Sequence, residues 1–271
     1  MLKDRRRQWA VAMVVGAIVL SLAASAFAQE IAKATVQVGG IRIVGAGYGG
    51  EENDELRAFN WQQGTTLAIL VSVPQGGLIE FDDDASTVNK FVDDKGTDLK
   101  PAKGRWQRGV FGGFTRVSKD GKAAMIEIGG GAVPVAGAKE IHVSGTLVFK
   151  AGSKKETFTH KDVPVKIGSK ISAGKVAFEV SKMGKPEWGD AAFEITLRTE
   201  QPITEIAGIA FMDARGNVIE SDQAGKSWGG KASTLTYNLA QKVDTVTVAI
   251  TYWMDLREEK VPFDVKAGVG L

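Results

Sequence analysis

The chain has 271 residues, with 34 basic and 32 acidic side chains and no cysteine. The lack of cysteine excludes disulfides, thiol nucleophiles and cysteine-based metal sites. The balanced charge gives no basic footprint of the kind that nucleic-acid-binding proteins carry. The length is sufficient for one large or two small hydrophobic cores.

The first 28 residues have the pattern of a secretory signal peptide. A basic start at residues 5–7 precedes an apolar stretch at residues 9–22, and small residues end at Ala28. This order predicts cleavage before Gln29 and export to a periplasm or the extracellular space. The alternative is an uncleaved anchor, because the stretch up to Ala28 is about 20 residues long and can span a bilayer. No later segment is apolar enough to do so.

After Gln29, apolar and polar residues alternate with the two-residue period of β-strands. Clear examples are residues 67–73, 141–149 and 246–252, and Gly or Pro clusters separate such runs. Many short strands with regular turn signals predict an all-β sandwich or barrel.

A nine-residue phrase occurs twice. Residues 91–99 and 211–219 share the pattern Phe-x-Asp-x-(Lys/Arg)-Gly-x-x-(Leu/Ile). We expect each copy to form a tight turn in which the Asp accepts backbone hydrogen bonds and the Gly takes a positive φ. Asp93 and Asp213 occupy equivalent places, so both are predicted to be structural.

Other weak matches follow the same order in both halves. Trp61 and Trp188 each precede a strand, and the Val-Pro pairs that end at Pro164 and Pro262 each close a half. A charged segment precedes each Val-Pro pair, at residues 150–156 and 255–260, and we expect both segments to be hairpins.

The shared order predicts an internal duplication, although two β-domains can also reuse the same turn chemistry. The small residues near Gly168 suit a linker. We therefore expect two β-sandwich domains, residues 29–168 and 169–271, the first with longer Gly-rich and acidic loops. The layout resembles tandem immunoglobulin-like or fibronectin-III-like modules of exported bacterial proteins. That resemblance concerns architecture alone and implies no activity.

A G-x-G-x-x-G pattern follows the strand at residues 41–44, with Gly45, Gly47 and Gly50. In a dinucleotide site this loop leads into a helix whose N-terminus faces a pyrophosphate. Here residues 51–55 would place four carboxylates at that position. We therefore expect a flexible loop and no bound cofactor.

Six aspartates lie close together between Asp82 and Asp98. Hard oxygen ligands on loops can hold calcium, although the spacing does not match an EF-hand. The candidate calcium ligands are Asp82, Asp84, Asp94 and Asp98. The alternative is a solvated acidic loop.

Two tryptophans, Trp106 and Trp228, lie in Gly-rich segments. Aromatic side chains on such loops can bind sugar rings or anchor protein partners. The alternative is that glycine lets each loop fold its aromatic side chain back onto a core. We treat both tryptophans as candidate ligand-binding residues.

No catalytic residue is assigned. The two histidines, His142 and His160, lack a nearby third ligand for zinc, and neither a G-x-S-x-G nor an H-E-x-x-H motif is present. The sequence favours an exported, non-catalytic binding or scaffolding protein whose partner is an envelope or extracellular protein or polysaccharide. The alternatives are a carbohydrate-binding module, with or without calcium assistance, and a hydrolase without a recognisable motif.

Overall fold

Fourteen β-strands and no helix make up the described part of the chain in the computed structural model. The all-β prediction is confirmed, because side chains alternate between inward and outward positions along the strands. The predicted signal peptide, residues 1–28, lies outside the described part. The structure describes residues 34–45, 63–100, 109–112, 115–186, 189–229 and 231–269.

The strands vary widely in length, and β6 and β14 are the longest. In chain order the strands are β1 Thr35–Val44, β2 Gly64–Ser72, β3 Leu78–Asp93, β4 Arg116–Val117, β5 Ala123–Gly130, β6 Glu140–Pro164, β7 Lys170–Ala173, β8 Val176–Gly184, β9 Phe193–Thr199, β10 Ile206–Met212, β11 Val218–Ile219, β12 Ser221–Gly229, β13 Ala232–Leu239 and β14 Thr245–Gly268.

These strands form three sheets. The first outer sheet has the order β1-β2-β5-β4, the shared sheet has the order β11-β10-β14-β6-β3, and the second outer sheet has the order β12-β13-β9-β8-β7. All pairings between these strands are antiparallel. The described residues therefore contain no parallel crossover of the kind that a dinucleotide-binding fold requires.

Two hydrophobic cores lie between the sheets. The first core joins the first outer sheet to the shared sheet, for example through Ile69 on one side and Phe149 on the other. The second core joins the second outer sheet to the shared sheet, for example through Phe178 and Ile250. We call these two packed units the first and the second sandwich.

The two longest strands, β6 and β14, each contribute to both cores. In β6, Phe149 belongs to the first core, whereas Val163 belongs to the second. In β14, Val248 belongs to the second core, whereas Phe263 belongs to the first. Each core therefore takes residues from both sides of position 168, where the sequence suggests a domain boundary.

The hairpins predicted for residues 150–156 and 255–260 do not form. The two segments continue straight and pair with each other, with Glu258 opposite Lys150 and Met254 opposite Lys154. Each segment supplies the backbone hydrogen-bond partners of the other, so neither has to turn back on itself. A segment rich in charged residues can form either a strand or a hairpin, so the local charge pattern does not distinguish the two.

The pairing pattern of the first half recurs in the second. Strands β1, β2, β5 and β4 are neighbours in that order, and so are β8, β9, β13 and β12. Strand β3 pairs with β6 as β10 pairs with β14. This equivalence agrees with an internal duplication.

The repeated phrase forms the same turn twice, as predicted. Asp93 Oδ1 accepts hydrogen bonds from the backbone N–H groups of Lys95 at 2.9 Å and Thr97 at 2.8 Å. Asp213 Oδ1 accepts the two corresponding bonds at 2.8 and 2.9 Å. The glycine of each turn has a positive φ, 89° in the first copy and 83° in the second.

Candidate functional site

A bulge in the edge strand β3 shapes one side of the first sandwich. Asp82 lies opposite Val148 of β6, and the next paired residue, Thr87, lies opposite Thr146. Residues 83–86 therefore loop out where β6 supplies a single residue. The bulge carries its two carboxylates into solvent.

Ser86 fixes this bulge from the inside. Its hydroxyl accepts a hydrogen bond from the backbone N–H of Val148 at 2.8 Å and donates one to the carbonyl of Asp82 at 2.5 Å. Asp82 Oδ1 accepts a further bond from the N–H of Ala85 at 2.9 Å. The hydroxyl thus accepts the hydrogen bond of the Val148 N–H, for which the bulged backbone of β3 no longer provides a carbonyl.

A recess of about 200 Å³ lies beside the bulge. Its floor is aromatic, because Phe81 packs edge-on against Phe111, with ring centroids 5.2 Å apart. Phe81 also contacts the buried Phe149, at a centroid distance of 5.5 Å. The lining residues are Phe81, Asp83, Phe111, Gly112, Thr115 and Glu127.

Backbone contacts with β5 position Phe111. Phe111 forms an isolated antiparallel bridge with Ile128, and the N–H of Gly129 donates to the carbonyl of Val110 at 2.7 Å. The segment that carries Phe111 is therefore held along an edge of the first outer sheet. This contact brings Phe111 next to Phe81, which comes from the other sheet of the same sandwich.

The rim of the recess is negative. Asp83 and Glu127 supply carboxylates, and no Lys or Arg is among the described lining residues. Neither carboxylate has a hydrogen-bond or ion-pair partner among the residues that the structure describes. The recess therefore offers apolar ring surface and unused acceptor oxygens to a ligand with an apolar face and polar hydrogens.

The structure does not bring the four candidate calcium ligands together. Asp82 lies opposite Val148, whereas Asp93 lies opposite Ile141, so the bulge and the Asp93 turn are separated by roughly 20 Å along the strand at the usual rise per residue. Asp82 and Asp84 lie at the bulge, and Asp94 and Asp98 lie at the turn.

The carboxylates at the turn have local roles. Asp94 Oδ1 accepts a bond from the N–H of Lys139 at 2.8 Å, and this donor holds the pKa of Asp94 below its usual range. Asp98 Oδ1 accepts a bond from the N–H of Lys100 at 3.0 Å. In the described part of the chain, no group of three or more His, Asp or Glu residues is placed to hold a metal ion.

Both histidines lie in β6, far apart along the strand. His142 Nε2 lies 2.7 Å from Asp264 Oδ1, across the pairing of β6 with β14. His160 Nδ1 accepts a hydrogen bond from the backbone N–H of Ser172 at 3.0 Å. Each histidine therefore has its own partner.

The ligand-binding roles of Trp106 and Trp228 remain predictions. Trp106 lies outside the described residues, as do Trp61 and Trp188. Trp228 lies in β12 opposite Ser233, but its side chain is outside the description. By contrast, Trp253 is buried, and Lys155 Nζ lies 4.1 Å from its ring centroid.

A second, larger recess of about 360 Å³ lies between β3 and the second outer sheet. Carboxylates and ammonium groups both line it, including Glu80, Glu200 and Lys231. Mixed charge, with no aromatic side chain among the described lining residues, favours a polar junction between the sandwiches over a ligand site. The aromatic recess is therefore the better candidate.

Sequence reasoning missed this aromatic recess. Phe81, Phe111 and Glu127 come from three segments that only the folded chain brings together. The one available signal was the position of Phe81 directly before the acidic run that starts at Asp82.

Within the described ranges no helix can cross a membrane. Comparisons with protein-family models, with curated proteins and with solved structures give no match to this chain.

Proposed function

We propose that the protein is an exported, non-catalytic binding or scaffolding protein of the cell envelope or the extracellular space. The observation that carries this proposal is that β6 and β14 each run from one sandwich into the other. Two hydrogen-bonded strands join the cores from residue 140 to residue 164 and from residue 245 to residue 268. Such a connection fixes the spacing of the two sandwiches, which is what a scaffold requires.

We further propose that both sandwiches are immunoglobulin-like. The order β1-β2-β5-β4 in one sheet and β3-β6-β14 in the other corresponds to the four-plus-three strand arrangement of constant-type immunoglobulin domains. The seventh strand of the first sandwich is then the last part of β14, and that of the second sandwich is the last part of β6.

Export rests on the signal pattern of residues 1–28. The mass of the protein recovered from the periplasm or the medium tests this part. A chain that starts at Gln29 supports export with cleavage. A full-length chain recovered from the membrane supports the uncleaved anchor and contradicts a released protein.

The binding proposal is tested by site-specific photo-crosslinking in cells. A photoreactive residue in place of Asp83, at the recess, is expected to capture a defined envelope or extracellular partner. The matched control carries the same residue in place of Glu220, which is also an exposed acidic position but lies in the second sandwich. Equal capture at both positions, or turnover of ester, glycoside or peptide substrates by the purified chain, would contradict the proposal.

A second candidate function is carbohydrate binding at the aromatic recess. The Phe81–Phe111 pair offers ring surface to the apolar face of a sugar, and the free oxygens of Asp83 and Glu127 can accept hydrogen bonds from its hydroxyls.

Retention on a polysaccharide panel tests this candidate. Phe111→Leu keeps apolar volume but removes the ring, so we expect it to abolish retention. Val218→Ala, at an exposed apolar residue of the second sandwich, is the control. Trp106→Ala and Trp228→Ala test the two tryptophan predictions in the same assay, and retention unaffected by all three aromatic substitutions would remove the candidate.

A further inference from the structure

We propose that the last part of β14, residues 256–268, is an exchangeable strand, and that the first sandwich can accept this strand from a second copy of the chain. The result is a reciprocal dimer in which the first sandwich of one copy is completed by the second repeat of the other. The partner is thus another molecule of the same protein.

The first sandwich has a shaped slot for this strand. Phe263 lies directly opposite Gly145 and enters the first core. A Cβ atom at Gly145 would lie 3.0 Å from Phe263 Cε1 and 2.0 Å from the carbonyl oxygen of Thr87. Only a residue without a side chain leaves room for both neighbours, so the slot selects the strand that carries Phe263.

The backbone hydrogen bonds of residues 256–268 go to β6 alone. Strand β10 reaches only as far as Tyr252 on the other side of β14. Two side-chain contacts of this part of β14 are also made to the first repeat: Lys266 Nζ lies 2.8 Å from Glu140 Oε1, and Asp264 Oδ1 lies 2.7 Å from His142 Nε2. Its other ion pairs, Arg257 with Glu259 and Lys260 with Glu258, lie within the strand and move with it. A second copy can supply these contacts unchanged, which is the condition for exchange between identical chains.

Only one covalent connection has to open for this exchange. Strand β6 runs straight into the second sandwich and β14 runs straight back, so residues 165–169 are the only chain link between the two repeats. We call this link the hinge. All other attachments between the repeats are strand pairing and side-chain packing, which the dimer retains.

The hinge carries one unfavourable feature. The buried hydroxyl of Ser169 has no hydrogen-bond partner among the described residues. An unsatisfied buried hydroxyl costs free energy. Short hinges under strain favour exchange because the dimer can relax them.

Cysteine crosslinking between full-length mature chains tests the proposal. Ser144 and Asp264 lie directly opposite each other across β6 and β14, within the reach of a disulfide, and the chain has no other cysteine. Chains with Ser144→Cys are mixed with chains with Asp264→Cys, unfolded and refolded together at high concentration. We expect a covalent dimer that contains both variants and holds up to about half of the chains, the statistical share of mixed dimers.

Three controls keep the outcome clear. The two variants refolded separately and then mixed should give no covalent dimer, and the double variant in one chain at low concentration should form its internal disulfide. The pair Thr157→Cys and Thr251→Cys repeats the test at opposite residues whose hydroxyl oxygens lie 2.8 Å apart.

The hinge itself supplies a graded test. Deletion of residues 166–168 should increase the share of mixed dimer, and insertion of a flexible Gly-Ser segment after Gly168 should abolish it. Formation of the internal disulfide without any mixed dimer, for both cysteine pairs and for the deleted hinge, would overturn the proposal.

Discussion

The carboxylate of Asp93 accepts a hydrogen bond at 3.0 Å from the backbone N–H of Val135, which lies 42 residues away in the chain. The same carboxylate closes its own turn through Lys95 and Thr97. Its counterpart in the second half, Asp213, has no such distant partner in the described part of the chain. Asp213 Oδ2 accepts instead from the side chain of Asn217 at 3.0 Å. The Asp93 carboxylate therefore links two distant segments of the chain, whereas the equivalent Asp213 carboxylate bonds within its own turn.

Asp93→Asn is expected to destabilise the protein more than Asp213→Asn. An amide in place of the Asp93 carboxylate turns one acceptor into a donor that faces the N–H of Val135. At Asp213 the Asn217 side chain is exposed and can turn towards water. The urea midpoints of the two variants measure the difference. Equal midpoints would contradict the distinct role of Asp93.

The stability gained through Asp93 should be lost in acid. Burial raises the pKa of Asp93, but the N–H groups of Val135, Thr97 and Lys95 outweigh this effect and hold the pKa below its usual value of 3.8. Because the folded-state pKa is the lower one, this contribution is fully present above about pH 4 and disappears as the pH falls through the folded-state pKa.

The measurement is the difference in unfolding free energy between the wild type and Asp93→Asn as a function of pH. We expect a constant difference at neutral pH and a smaller one below about pH 4. A difference that does not change between pH 7 and pH 2 would show that the ionised carboxylate is not what stabilises the turn.

Tyr252→Phe should cost about 1–3 kcal/mol of unfolding free energy, because it removes two buried hydrogen bonds to the backbone. The Tyr252 hydroxyl donates to the carbonyl of Ala173 at 2.7 Å and accepts from the N–H of Val176 at 3.2 Å. It thus holds the turn between β7 and β8 against the shared sheet.

Tyr237→Phe is the matched control for this change. Burial raises the pKa of Tyr237 to about 12, but its hydroxyl has no hydrogen-bond partner among the described residues. Its removal should therefore change stability much less than the removal of the Tyr252 hydroxyl. Thermal unfolding of both variants decides the point, and equal losses would contradict the role assigned to Tyr252.

Gly145→Ala should destabilise the first sandwich by about 1–3 kcal/mol, because the new methyl group overpacks the contact between β6 and β3. The nearest obstacle is the backbone carbonyl of Thr87, which cannot move as a flexible side chain does. Gly208→Ala is the control, since nothing lies within 4 Å of the Cβ position there. Chemical denaturation of both variants measures the contrast, which equal stabilities would contradict.

The two sandwiches should unfold together. Phe178→Ala in the second core should cost about 3–5 kcal/mol, and it should also reduce the hydrogen-exchange protection of β2 in the first sandwich. The reason is that the unfolding of the second repeat withdraws the last part of β14 from the first core. Unchanged protection of β2 in this variant would show that the first sandwich is independent.

Local features of this protein could be predicted from its sequence. The strands at residues 67–73 and 246–252 follow from alternation, since each apolar side chain on one face is buried. The Asp93 and Asp213 turns follow from chemistry within five residues, in which a carboxylate accepts nearby N–H groups and a glycine takes a positive φ. Both features depend only on neighbours in the chain.

The aromatic recess could not be predicted in this way. Phe81 and Glu127 belong to different sheets, and Phe111 reaches them through a bridge to Ile128. The acidic run next to Phe81 suggested a metal site instead, because a sequence does not show that a bulge and a turn lie far apart along one strand.

The path of β6 and β14 was decided only by the tertiary structure. Residues 150–156 and 255–260 are polar enough to turn as hairpins or to continue as strands, and the sequence alone does not decide between the two. The choice depends on partners about 100 residues away, since Lys150 pairs with Glu258 and Lys154 with Met254. Backbone hydrogen bonds must be satisfied somewhere, and here each segment satisfies those of the other. Local pattern thus determined the strands, and long-range pairing determined which core each strand completes.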